Sequence, residues 1–239
     1  MNYYFITGTS KGLGKALTEL LLEDENNFVY GLSRNCSIKH KNYNHTTIDM
    51  SIIEEVKKYQ FPQIDTTSNK ITLINNAGMV GDVNHLGNVS NDKIIECYNL
   101  NLIAPAILTN KFIGNFNGEE KLIINISSGA GRTPIDGWNI YCSTKAGMDM
   151  LSQVIAEESK IKKSNTTVLS LAPGIIDTGM QTEIRNSSKD GFSNIERFIE
   201  YKNNGDLVKP EDTAKQIHQF ITNKQLQENV ICSVRDLTN

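Results

Sequence analysis

Tyr141 and Lys145, in the stretch "ISSGAGRTPIDGWNIYCSTKAGMDM" (126–150), stand four residues apart. On a helix that spacing puts both side chains on one face. A phenol with its ordinary pKa of about 10 is a poor acid–base group at neutral pH. A neighbouring ammonium stabilises the phenolate and lowers that value. Tyr141 then becomes a proton donor for a carbonyl oxygen. Ser128 lies upstream, just past an apolar run, and its hydroxyl can bond the same oxygen. Alone, Tyr-x-x-x-Lys on a helix is an ordinary packing aromatic beside a solvated lysine. Ser128 and a second motif give the pair its chemistry.

The second motif is "ITGTSKGLGKAL" (6–17), which sets Gly8, Gly12 and Gly14 between a strand-like run and a helical one. A turn of this kind meets the positive end of a helix and suits a pyrophosphate. Gly8 permits the tight turn, Gly12 a close approach of phosphate, and Gly14 close helix–strand packing. The spacing is G-x-x-x-G-x-G rather than the commoner G-x-G-x-x-G. Arg34 follows the second apolar run, "FVYGLSR", where an acidic residue would suit a ribose 2′-hydroxyl. A cation there suits a 2′-phosphate, and Lys11 adds a second positive charge, so the pair favours NADP over NAD. Two solvated surface cations are the plain alternative.

The elements that must position these residues are legible as an alternation. Strand-like runs fall at Tyr3–Thr7, Phe28–Ser33, Thr46–Asp49, Ile71–Asn75, Lys121–Ser127, Thr166–Ala172 and Asn229–Val234. Helical patterns lie between them near 13–23, 51–60, 91–115, 140–162 and 210–223. Pro210 fits a first helical turn, with Glu211 and Asp212 suited to the positive end of its dipole. The pattern predicts a single α/β domain, doubly wound, with a parallel sheet covered by helices on both faces. The polar stretch 179–206 interrupts the alternation with short helical pieces. It reads either as a lid at the carboxyl edge of the sheet or as a surface excursion.

Composition excludes other classes. The 239 residues carry a formal net charge of −3, which gives no electrostatic case for nucleic acid or an anionic membrane. No apolar run approaches the roughly 18 residues of a membrane span. The N-terminus runs straight into a strand, so no signal peptide is expected. Cys36, Cys97, Cys142 and Cys232 are scattered, which predicts neither disulfides nor a metal site and suits a cytoplasmic location.

These motifs together resemble the short-chain dehydrogenase/reductase family over essentially the whole chain. Thr7-Gly8-x-x-x-Gly12-x-Gly14 matches its cofactor motif, and Asn75-Asn76-Ala77-Gly78 its central turn. Asn101 in "NLNLIAP" falls at the family's catalytic asparagine, and Ser128, Tyr141 and Lys145 complete the tetrad. Pro173-Gly174 with Thr178 matches the segment beside the nicotinamide. The resemblance implies one Rossmann domain over 1–239 with 179–206 as substrate lid. It implies NADPH held by Gly8, Ser10, Lys11, Gly12, Leu13, Gly14 and Arg34. It further implies Asp49 against adenine and Asn76, Ala77 and Gly78 on the adenosine side. Ile176 and Thr178 would hold the carboxamide, and Lys145 the nicotinamide ribose. Asn101 would hold a water linking Lys145 to solvent. The family also implies a homodimer or homotetramer, paired through the helices carrying Asn101 and Tyr141.

Within the family, "GWNIYCSTKAGMDM" and "APGIIDTGMQTEIR" resemble the sepiapterin reductase branch. "NISSGAG", "TKAG" and "NIERFIEYKNNGDLVKPE" resemble more closely the bacterial members that reduce benzil to (S)-benzoin. Both groups act on flat, partly aromatic carbonyl substrates. A pocket lined by Trp138, Met180 and Phe192 would suit such a substrate. Sepiapterin reductases anchor the pterin with an acidic residue near the C-terminus, for which Asp236 is the candidate. A non-catalytic NADP(H)-binding sensor on the same fold is the alternative of a different class.

Overall fold

Side chains alternate along a strand, and in this chain both sets are apolar. In β1 (Asn2–Thr7), Tyr4 and Ile6 enter one hydrophobic cluster and Phe5 the other. β4 (Ile71–Asn75) and β5 (Lys121–Ile126) are buried throughout, as strands covered on both faces must be. The computed structural model describes residues 1–64, 70–116 and 119–238, and every candidate site residue lies among them.

The other strands are β2 (Asn27–Ser33), β3 (Tyr43–Thr47), β6 (Thr166–Ala172) and β7 (Ile231–Ser233). All seven form one parallel sheet in the order β3-β2-β1-β4-β5-β6-β7. The order reverses between β1 and β4, and a crevice opens there at the carboxyl ends of the strands. One face is covered by α1 (Gly12–Leu22) and α8 (Pro210–Thr222), which supply Leu17, Ile217 and Phe220 to its cluster. The other is covered by α2 (Ile53–Lys58), α4 (Ala104–Asn115) and α5 (Asn139–Lys162), with Val56, Phe112 and Ile155.

Three expectations change. The third strand is Tyr43–Thr47 rather than Thr46–Asp49, which places Asp49 beyond the strand end. The last strand is shorter than Asn229–Val234, because its ladder with β6 covers only Ile231–Ser233. The helix over 91–115 is broken: α3 (Asn91–Tyr98) and α4 are joined by a π-helical turn, Asn99–Ile103. That turn contains Asn101, and such turns recur at functional sites. The interruption at 179–206 contains α6 (Gly179–Arg185) and α7 (Ile195–Asn203). These helices share a third apolar cluster with Trp138 and Tyr141. Among the described residues, no helix is long and apolar enough to cross a membrane.

Candidate active site

The glycine loop follows β1 because the chain must turn sharply there. Gly8 has φ +77 and Gly12 φ +57, in the left-handed region that glycine tolerates. Gly14 is demanded by space: a Cβ on it would lie 2.3 Å from the Gly8 carbonyl oxygen. Lys11 occupies the N-cap of α1 but makes no side-chain cap hydrogen bond, so the helix's first N–H groups open toward the crevice. The loop is held from behind. The Thr7 hydroxyl oxygen accepts from Asn76 N and Ala77 N, each at 2.9 Å, and the Asn76 amide donates to Thr7 O at 2.9 Å. Asn76 therefore steadies the glycine loop through its own amide.

The crevice is a cleft of about 1210 Å³, running from this loop past the ends of β4 and β5 to α6 and α7. Every residue named above as a cofactor contact lines it, as do Ser128, Tyr141, Lys145, Trp138 and Met180. At one end, Arg34 Nη1 lies 3.7 Å from Asp49 Oδ2. Burial acts to raise the Asp49 carboxyl, but hydrogen bonds from Ser51 and the Arg34 charge outweigh it and hold it low. The Lys11 ammonium lies against the start of α6, 3.9 Å from where a Cβ of Gly179 would sit.

At the other end, β5 delivers Ser128 to the N-cap of a short 3₁₀ turn, where its Oγ accepts from Ala130 N at 3.2 Å. α5 carries Tyr141 and Lys145 on its inward face, both buried. Lys145 Nζ donates to Ile126 O at 2.8 Å and lies 5.5 Å from the Tyr141 ring centroid. Burial pushes the Tyr141 phenol up to about 12, against the pull of its Ser128 hydrogen bond. Burial also pulls the Lys145 ammonium down to about 8. The expected lowering of the phenol by Lys145 is corrected here, because desolvation of both groups dominates. The Tyr141 phenol therefore keeps its proton at neutral pH.

Three candidate residues do not line the cleft. Asn101 is buried behind Gly78; its Oδ1 accepts from Met79 N at 3.0 Å and its Nδ2 donates to Met79 O at 2.8 Å. It clamps the turn that passes Lys145. Phe192 is fully buried and stacks on the far side of Trp138, with ring centroids 5.6 Å apart, so it supports the pocket wall without forming it. Asp236 turns its Oδ2 to Ser233 N at 2.7 Å, closing a C-terminal turn. Sequence reasoning missed the aromatic wall from α7, Phe198 and Tyr201. It also missed Asp149, four residues past Lys145, although the i, i+4, i+8 spacing with Tyr141 was there to be read.

The family described as short chain dehydrogenase matches residues 2–189. Benzil reductase ((S)-benzoin forming) of Bacillus cereus is 36% identical, across 98% of this chain and 99% of that protein. The protein of that name in Bacillus subtilis (strain 168) is 39% identical, across 90% of each. Sepiapterin reductase of Xenopus tropicalis is 34% identical over 62% of this chain and 57% of that protein. A short-chain dehydrogenase/reductase structure from Saccharomyces cerevisiae superposes with a TM-score of 0.82 at 20% identity, covering 98% of this chain and 96% of that one. The chain belongs to the short-chain dehydrogenase family of nicotinamide-cofactor oxidoreductases.

Proposed function

We propose that this chain is an NADPH-dependent carbonyl reductase that converts one carbonyl of an α-diketone such as benzil to the alcohol, giving (S)-benzoin. The observation that carries the reading is the meeting of Ser128, Tyr141 and Lys145 on one wall of the cleft, beside the aromatic surface of Trp138. The glycine loop and the uncapped start of α1 fit a pyrophosphate, and a dihydronicotinamide held there would supply the hydride. Tyr141 gives its phenolic proton to the substrate oxygen. Ser128 donates a hydrogen bond to that oxygen as charge develops on it. Lys145, anchored on Ile126 O, stabilises the phenolate left behind.

Residues 179–206 act as the substrate lid on this reading. Asp136 Oδ1 accepts from Ser193 Oγ and Asn194 Nδ2, and Lys202 pairs with Asp177 at 2.8 Å, so the segment is tied down at its middle and near its C-terminal end. The diketone is preferred to a pterin because Asp236 is held by Ser233 N and stays off the cleft wall. Four free cysteines suit a reducing, cytoplasmic setting. Exposed Ile103, Met150 and Val154 suit pairing of two or four copies through the π-helical turn and α5.

The test is loss of NADPH absorbance with benzil, repeated with NADH and with sepiapterin. Rapid benzil-dependent oxidation supports the reading, whereas turnover of sepiapterin alone would replace it with the pterin branch. The cofactor part has its own check. Arg34 is two-thirds exposed at the cleft and is proposed to meet the 2′-phosphate. Arg34→Ala removes a charge-assisted bond, so preference for NADPH over NADH, measured as the ratio of kcat/KM values, drops about tenfold or more. An unchanged ratio would remove Arg34 from cofactor choice.

Lys145 sets a pH limit. Its ammonium, held near 8, is present below that pH and is lost as pH rises through it. Tyr141, held near 12, stays protonated across the same range. Reduction rates therefore fall on the alkaline side, with an apparent pKa near 8 in kcat/KM for the carbonyl substrate. A flat profile well past pH 8 would show that the charge on Lys145 is dispensable.

A further inference from the structure

Beside the proposed catalytic residues lies an ion pair, buried on its acidic side only, that the reduction itself does not use. Asp149 sits one turn past Lys145 on the inward face of α5 and is buried. Its Oδ1 accepts from Ser127 Oγ at 2.5 Å and from Ser170 Oγ at 2.6 Å. Its Oδ2 accepts from Arg132 Nε at 3.0 Å. Arg132 stands four residues after Ser128, at the end of the 3₁₀ turn Gly129–Gly131. That turn lies flat on α5: a Cβ on Gly131 would come within 2.8 Å of the Lys145 carbonyl carbon. The guanidinium is thus fixed twice, through its backbone on α5 and through Nε on a carboxylate that is itself immobilised.

The outer edge of this guanidinium is only loosely held. Its Nη2 lies 3.5 Å from Cys232 O, at the outer limit of a hydrogen bond. The side chain remains 35% exposed and forms part of the same cleft wall as Ser128 and Tyr141. Here the acid is buried and the base looks outward. A planar fork held at Nε presents its terminal nitrogens to an oxygen acceptor in a defined direction.

We propose that Arg132 is the substrate-recognition residue of this site, and that it binds a second oxygen acceptor next to the carbonyl that is reduced. The substrate class is then vicinal: a 1,2-diketone or a 2-oxo acid, rather than an isolated ketone. Asp149 acts through Arg132 as a positioning residue. The proposal rests on the carbonyl reductase reading of the same cleft and narrows it.

The experiment compares kcat/KM with NADPH for benzil and for deoxybenzoin, which keeps both rings and lacks the second carbonyl. The wild-type protein is set beside Arg132→Leu. Arg132→Leu leaves Asp149 buried without its partner, so Arg132→Leu/Asp149→Asn is measured as well. Partial misfolding lowers both substrates together and leaves their ratio alone. The benzil-to-deoxybenzoin ratio is expected to fall about tenfold or more in both variants, the loss of one charge-assisted bond. An unchanged ratio overturns the proposal. If the wild-type protein reduces neither compound, the diketone reading fails on its own account, and Arg132 is then judged by binding. Calorimetry with NADP⁺ present is expected to show phenylglyoxylate binding that weakens about tenfold in Arg132→Leu. Equal binding by the two proteins, or none by the wild type, overturns it.

Discussion

Tyr141→Phe is expected to lower kcat for carbonyl reduction by about 10³-fold while NADPH binding stays within error of the wild type. The substitution removes one oxygen and keeps the ring. The ring is what packs: it meets Trp138 edge-on at 5.5 Å and belongs to the cluster under the lid. Fold and lid position are therefore retained, and the loss falls on the proton donor. At neutral pH the wild-type phenol is fully protonated, since burial holds it near 12. In the Phe variant Ser128 retains a hydroxyl near the substrate oxygen, but nothing at position 141 can release a proton. Fluorescence titration with NADPH beside steady-state kinetics separates the two effects. A variant that binds NADPH and turns over at the wild-type rate would move the chain to the sensor reading, in which the tetrad has no work to do.

The fold was legible because its information is local. Short, β-branched apolar runs such as "ITLIN" and "KLIINI" suit strands buried on both faces, and helical stretches of 10 or more residues separate most of them. Ladder ends were less legible. "YNHTT" forms β3 although four of its five residues are polar, because Tyr43 OH bonds Thr9 and the strand pairs with β2 along its whole length. Nothing inside those five residues announces that pairing. The π-helical turn was also invisible. Its pattern is that of one long helix, and the inserted turn is stabilised by Asn101 reaching Met79, 22 residues earlier.

The site divided along the same line. Glycine positions were readable because a positive φ or a close backbone approach admits few other residues. Ser128, Tyr141 and Lys145 were singled out by spacing combined with resemblance, and the fold brings those three to one cleft. Phe192 and Asp236 were misplaced because residue type says nothing of which side of a wall a side chain takes. Phe192 is aromatic and near the substrate end, yet Trp138 stands in front of it. Asp236 is acidic and near the C-terminus, yet the nearest backbone N–H captured it. Arg132 and Asp149 escaped notice for the opposite reason. Each looks like an ordinary charged surface residue until the tight turn at Gly131 lays the loop on α5 and brings them together.

Gly14→Ala is expected to weaken NADPH binding by about tenfold to a hundredfold and to lower Tm by several degrees. The argument is steric. A Cβ on Gly14 would lie 2.3 Å from Gly8 O and 2.4 Å from Asn76 Nδ2. The first is backbone, so no side-chain rotation relieves it. The second belongs to the amide that ties Asn76 to Thr7 O. Relief requires α1 to move away from β1, which shifts the uncapped N–H groups at its start out of line with the crevice. Overpacking of this kind costs about 1–3 kcal/mol, and each 1.4 kcal/mol expressed in binding is about tenfold. Gly114→Ala is the control. Among the described residues a Cβ there meets nothing within 4 Å, and alanine in a helix is favoured by about 1 kcal/mol, so Tm holds or rises slightly and NADPH binding is unchanged. Isothermal titration with NADPH and thermal melts of both variants decide the matter. If Gly14→Ala binds NADPH as tightly as Gly114→Ala, the contact between α1 and the glycine loop is not what shapes the phosphate site.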